Sequence, residues 1–117
     1  MKGKNKVRQF FTSVIERKKE FTSDFQTNPF ETAWASEAIF FIKVEDVSGK
    51  TRHLDAIIQI SPDGLCWVDE GTEMLGINSK GTYFIKVSHF GGWLRLNAKV
   101  KGENAKYKLT IHLVLKE

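Results

Sequence analysis

Hydrophobic and polar positions alternate with a period of two over most of this chain. Ala38, Phe40, Ile42 and Val44 are interleaved with Ile39, Phe41, Lys43 and Glu45. Successive side chains of a strand point to opposite faces, so the pattern predicts a strand over 38–47. Its first half is apolar on both faces, as in a strand covered on two sides, and its second half turns one face to water. Leu54 to Ile60 behaves alike, with Ala56, Ile57 and Ile58 in a row. Trp93 to Val100 sets Leu94, Leu96, Ala98 and Val100 against Trp93, Arg95, Asn97 and Lys99. From Tyr107 to Lys116, the side chains Tyr107, Leu109, Ile111, Leu113 and Leu115 share one face, which leaves His112 off it. Shorter strands are predicted at Leu65–Val68 and Tyr83–Val87. Lys19 to Phe25 is a further strand, with Phe21, Ser23 and Phe25 on one side, stopped by Asn28-Pro29.

Turn chemistry punctuates these runs. Ser48-Gly49-Lys50 reads as a turn and Gly102-Glu103-Asn104 as a hairpin turn. In Ser61-Pro62-Asp63-Gly64, Pro62 presets φ near about −65° and Gly64 supplies the positive φ that closes the turn. Residues 72–81 read as an irregular loop, and Phe90-Gly91-Gly92 as a bend. Residues 30–36, carrying Trp34, read as a loop or short bridge. Helical periodicity is weak. Residues 7–20 place Phe10, Phe11, Val14 and Ile15 at a spacing a helix would tolerate, yet Thr12-Ser13-Val14-Ile15 is rich in β-branched residues. The reading is an extended arm, with a short helix as the alternative. Together the elements predict an all-β protein. Its body, residues 20–117, is a jelly-roll-like antiparallel β-sandwich of about seven or eight strands, preceded by an arm over residues 1–19.

Composition sharpens the arm. The net charge is +4, but residues 1–19 carry seven basic groups against one acidic, and the rest carries eleven basic against thirteen acidic. A basic arm suits nucleic acid, an acidic protein surface or lipid headgroups, or is a solvated terminus. Lys2, Lys4, Lys6 and Arg8 form its tip, and Phe10, Phe11, Phe21, Phe25 and Phe30 are candidate anchors onto a neighbouring subunit; folding back onto its own sandwich is the equal alternative. The single cysteine, Cys66, excludes an internal disulfide and reads as a small buried hydrophobe. No apolar run reaches the length of a membrane span, and no signal-type segment follows the basic start. Synthesis in the cytoplasm without an export signal is expected.

Chemistry is sparse. His53, His89 and His112 are scattered, and no nucleophile motif or phosphate-cradling loop occurs, so no enzyme and no cofactor are expected. Asp63, Asp69, Glu70 and Glu73 cluster around one hairpin, but they read as turn carboxylates rather than a metal site. Trp93, Arg95, Asn97 and Lys99 share a strand face that fits a sugar or a single-stranded nucleic acid. The second faces of the 38–44 and 54–60 strands would leave apolar side chains that the N-terminal segment, a neighbouring subunit or both must cover.

The segment Ile58-Gln59-Ile60-Ser61-Pro62-Asp63-Gly64-Leu65-Cys66-Trp67 resembles a hairpin found in two groups. One comprises small β-sandwich proteins from phage structural regions and bacterial genomes; the other, discoidin-like jelly-roll modules. Phe84-Ile85-Lys86-Val87 and Trp93-Leu94-Arg95-Leu96 are similar to the strand pair that follows in both, and the likeness covers about residues 37–116. It makes Pro62, Asp63, Gly64 and Trp67 structural turn residues. Discoidin-like modules are longer, usually secreted and often disulfide-closed, which a chain with Cys66 alone does not match. The phage-like likeness implies a symmetric structural role, such as a decoration or accessory protein on a capsid or similar shell. The expected partners are therefore the chain itself, as a homo-oligomer, and a larger protein assembly. Glycan binding is the alternative, and nucleic-acid binding through the arm the third reading.

Overall fold

The structure is a computed structural model and describes residues 10–88 and 90–117. These residues form strands β1 (Phe10–Phe21), β2 (Phe25–Gln26), β3 (Phe30–Glu31), β4 (Glu37–Ser61), β5 (Val68–Ile77), β6 (Gly81–Ser88) and β7 (Trp93–Lys116). All pairings are antiparallel. The expected all-β sandwich is observed, but two long strands build it. β4 and β7, of 25 and 24 residues, run side by side from Glu37↔Lys116 to Ser61↔Trp93. Each passes through both layers. The first layer is β1, the second half of β7, the first half of β4, and β6. The second layer is β2 and β3, the first half of β7, the second half of β4, and β5.

The core lies between the layers. Phe40, Ile42 and Val44 of the first layer join Leu54, Ile58, Leu94 and Leu96 of the second in one cluster, all but excluded from water. Each such side chain contributes about 1.5–3 kcal/mol through removal from water. Tyr107, fully buried, donates its hydroxyl to the Ile77 carbonyl at 2.6 Å and ties the layers together. Burial pushes its phenol pKa up, as a neutral hydrogen-bonded hydroxyl requires.

The two turns expected at 48–50 and 102–104 are not reversals. Both strands continue through them, and the register shifts three times between Val44 and His53. Gly49 and Gly102 hold φ of 108° and 119°, with Thr51 and Asn104 also left-handed at 48° and 54°. A Cβ on Gly49 would lie 2.6 Å from the Asn104 carbonyl oxygen; one on Gly102 would lie 2.7 Å from Arg52 Cα. Each glycine thus lets its strand press against the other's left-handed bulge, and the ribbon bends sharply enough to fold one layer over the other. A bulge and a turn use the same residues, which is why the sequence reads as a turn here. The net slip also switches β7's inward positions from even (Leu94, Leu96, Ala98) to odd (Tyr107, Leu109, Ile111).

Three more expectations change. The loop predicted at 72–81 is largely strand, because β5 runs to Ile77 with two register shifts against β4. Its answering strand starts at Val68, not Leu65, whose side chain stands 82% exposed. Residues 10–21 are β1, neither helix nor free arm: they pair with this chain's own β7 from Phe10↔Lys116 to Phe21↔Tyr107. At its bulge Lys18 has φ 48° and donates its backbone N–H to Thr110 Oγ1 at 3.0 Å. The edge beyond β1 is stitched by side chains. Thr27 Oγ1 accepts from Leu96 N–H at 2.9 Å, and Asp24 Oδ1 accepts from Val100 N–H at 2.9 Å. Pro29, with no N–H, sits between the two-residue strands β2 and β3.

Candidate functional site

The first layer's outer face is apolar. Register places Phe84, Phe41, His112 and Val14 in one row across β6, β4, β7 and β1. Lys86, Ile39, Val114 and Thr12 form the next row, in which Val114 is buried. The Phe41 and Phe84 rings meet at 6.2 Å in a tilted contact, and Phe84 is 51% and Val14 38% exposed. A shallow depression of about 350 Å³ lies between Thr12, Phe41, Lys43, Thr82, His112 and Val114. One margin is charged. Thr110 donates its hydroxyl to Glu45 Oε2 at 2.7 Å, and Lys43 Nζ lies 3.8 Å from Glu45 Oε1. The Thr110 hydrogen bond, helped by the charges of Lys43, Lys18 and Lys108, holds the Glu45 carboxyl below its ordinary range.

Around Arg95 the second layer's outer surface is polar and internally satisfied, while Val68 and Leu75 of its edge strand β5 stand exposed. The Arg95 guanidinium stacks on the Trp67 ring at 4.3 Å, and its Nε donates to Gln59 Oε1 at 2.8 Å. Gln59 Nε2 donates in turn to Asp69 Oδ1 at 2.9 Å, and Gln26 Nε2 to Asn97 Oδ1 at 3.1 Å. Partial burial lowers the Arg95 pKa, but a guanidinium starts so high that it stays charged.

The turn that ends β4 is built as its residues dictate. Ser61 Oγ accepts from Gly64 N–H at 2.8 Å, and Asp63 Oδ1 accepts from Cys66 and Leu65 N–H at 2.9 and 2.8 Å. Those amides, with the Ser61 hydroxyl, keep the Asp63 carboxyl below its ordinary range. Gly64 has φ 79°, and a Cβ there would lie 3.2 Å from the Trp93 ring, so the indole lies flat on the glycine. Cys66, expected in the core, is exposed, because the segment is still in the turn.

The sequence-predicted residues are therefore sorted by geometry. Trp93, Arg95 and Asn97 do share one face, with Lys99 opposite Asp55. Trp93 lies on the turn and Arg95 on Trp67, so their aromatic and cationic surfaces are used within the chain. Of the proposed partner anchors, Phe21 is 8% exposed and stacks on Phe25 at 3.7 Å. Both belong to this chain's own core, since β1 lies on β7. Phe11 is exposed. Lys2, Lys4, Lys6, Arg8 and His89 lie outside the described residues, as does the Phe10 side chain. Asp63, Asp69 and Glu70 each accept hydrogen bonds within the chain. Among the described residues no group of three His, Cys, Asp or Glu is placed to hold a metal ion. No helix there is long and apolar enough to cross a membrane. Phe84 and Val14 were missed as site residues. Alternation gives their own strand's two faces, but only register shows that they extend the Phe41 face.

No protein-family model matches this chain, and no curated protein does. Solved structures share the fold at low identity. The SPBc2 prophage-derived protein YomS aligns with a TM-score of 0.57 at 9% identity, over 96% of each chain. A chain from the structure of infectious bursal disease virus, Gx strain, aligns with a TM-score of 0.60 at 11% identity over 95% of this chain. This chain spans about a third of that viral chain, 32% of its length. The chain is thus similar in fold to a prophage-derived protein and to part of a viral one.

Proposed function

We propose that this chain is a non-enzymatic structural protein of phage or viral type, one that assembles with itself and onto a larger protein particle as a decoration or accessory subunit. The open apolar face around Phe41 and Phe84 carries this reading. Monomeric proteins seldom leave contiguous aromatic and aliphatic rows bare to water, and such patches mark protein contacts. The contrast with the satisfied polar groups around Arg95 favours a macromolecular partner over a small ligand. The fold shared with a prophage-derived protein and part of a viral one is consistent with it.

The reading no longer needs Phe21 or Phe25 as anchors. It leaves association to the apolar face, with the basic residues 2–8 tuning electrostatic fit. Sedimentation velocity over a concentration series of the full chain tests it. A discrete oligomer, or co-sedimentation with a particle, is expected. A monomer at every concentration that never pellets with a particle would end it. A shortened chain for comparison should start at residue 10, because removing residues 1–19 would strip most of β1 from β7.

A further inference from the structure

The sheet has four kinds of edge among its described residues, and they differ in how open they are to another strand. β1 shifts register twice against β7 and carries Glu16, Arg17, Lys18, Lys19 and Glu20. β5 shifts register twice against β4 and carries Asp69, Glu70 and Glu73. β2 and β3 are two residues each. Bulges, charges and shortness are the devices by which proteins keep edges from pairing with other chains. β6 has the fewest of them. Its eight residues pair with β4 from Glu37↔Ser88 to Val44↔Gly81 without one register shift. Lys86 is its only charged residue, and among described residues its ladder partner is β4 alone, with Glu70 and Thr72 of β5 across a groove from residues 86–88.

We infer that β6 is the assembly edge of this protein and that its occupant is the β6 of a second copy, paired antiparallel about a two-fold axis at Phe84. This rests on the assembly reading above and names the surface it would use. An isologous contact must be self-complementary. Centred on Phe84, the pairing sets Phe84 against Phe84, Tyr83 against Ile85, and Thr82 against Lys86. No like charges face each other, and aromatic and β-branched cross-strand pairs are the favourable ones. An even register keeps both copies' outer faces on one side. The two Phe41–Phe84 rows then become one continuous apolar band across an eight-stranded layer. Backbone hydrogen bonds would supply affinity and Phe84 the registration, as in strand addition generally.

Two measurements test it. The first is hydrogen exchange of the full chain at low and high concentration. The outward amides of residues 81–88 should slow at least about tenfold as the chain associates, while β5 amides stay unchanged. The second is cross-linking in a Cys66→Ser background. Opposed strand residues lie about 4.5–5.5 Å apart at Cα, within disulfide reach. Phe84→Cys should therefore oxidise to a covalent dimer, and Val14→Cys, on the same apolar face, should not. Oligomers with no added protection at β6 and no Phe84→Cys dimer would overturn the edge assignment yet leave the assembly reading standing. A chain that stays monomeric would overturn both.

Discussion

β4 and β7 present two outer faces, and the faces differ in kind. On the second layer, Arg95, Gln59, Asp69 and Trp67 form a chain of contacts that uses their polar groups within the protein. On the first layer, the same two strands display Phe41 and His112, flanked by Phe84 and Val14, with no covering element among the described residues. Strand chemistry does not separate the halves, since both are β-rich and two-fold alternating. What separates them is that the polar groups around Arg95 are satisfied within the chain, whereas Phe41, Phe84 and Val14 form a contiguous apolar row. Function is therefore to be sought on the apolar face.

The largest effect belongs to the corner that makes two faces out of two strands. Gly102→Ala places a Cβ 2.7 Å from Arg52 Cα and 2.8 Å from the Thr51 carbonyl oxygen at φ 119°. Neither neighbour is a side-chain tip that can swing away. The expected loss is about 3 kcal/mol or more, read from chemical denaturation midpoints. Gly76→Ala in β5 is the control, since its φ of 76° is also left-handed but a Cβ there meets nothing within 4 Å. Its loss should stay near about 1–2 kcal/mol. Equal losses would mean the corner tolerates backbone movement and does not fix how the layers meet.

The corner is also where the sequence is least legible. Alternation locates the buried halves of β4 and β7 well, because period-two burial follows from pleat geometry alone. Ser48-Gly49-Lys50 and Gly102-Glu103-Asn104 look like reversals because a bulge needs the same positive φ as a turn. Whether the chain reverses there depends on the strand alongside, which is 50 or more residues away in sequence. β5 was hidden for a related reason: an edge strand with Gly71, Gly76 and three carboxylates lacks the apolar alternation of a core strand. The turn at 61–64 was legible because the side-chain hydrogen bonds of Ser61 and Asp63 reach only neighbours within three residues. The candidate site was half legible. Phe41 stands in a doubly apolar run, but Phe84 and Val14 join it only through pairing.

A middle-sized effect separates the faces directly. Gln59→Ala removes the acceptor of Arg95 Nε and the donor to Asp69 Oδ1 together. Both partners keep some access to water, so the cost should be about 1 kcal/mol in the folding midpoint. Phe84→Thr on the other face should cost the monomer less, about 0.5 kcal/mol, because the half-exposed Phe84 loses only its tilted cross-strand contact with Phe41. The same Phe84→Thr change should weaken association. If it destabilised the monomer more than Gln59→Ala did, the first layer's outer face would be part of the fold itself and not a surface held for a partner.

The smallest effect is a pH dependence with one source in each layer. Glu45, bonded by Thr110, and Asp63, bonded by the Cys66 and Leu65 amides, are both held below the ordinary carboxylate range. A lowered folded value means the unfolded chain takes up protons first. The stabilisation is thus present in full above the unfolded value and is lost as pH falls through the folded one. Asp63 is exposed and Glu45 only part-buried, so the acid loss should be shallow. Denaturation midpoints from neutral pH down to about pH 3 would show it as a slope that Glu45→Gln and Asp63→Asn each flatten. Asparagine still offers Oδ1 to the turn amides, so Asp63→Asn should keep the turn while removing the slope. The Glu45 contribution lies at the margin of the apolar face, beside the proposed contact, whereas Asp63 lies away from it in the other layer. Association should therefore shift the acid limb of the parent relative to Glu45→Gln, and leave the difference between the parent and Asp63→Asn the same at every concentration.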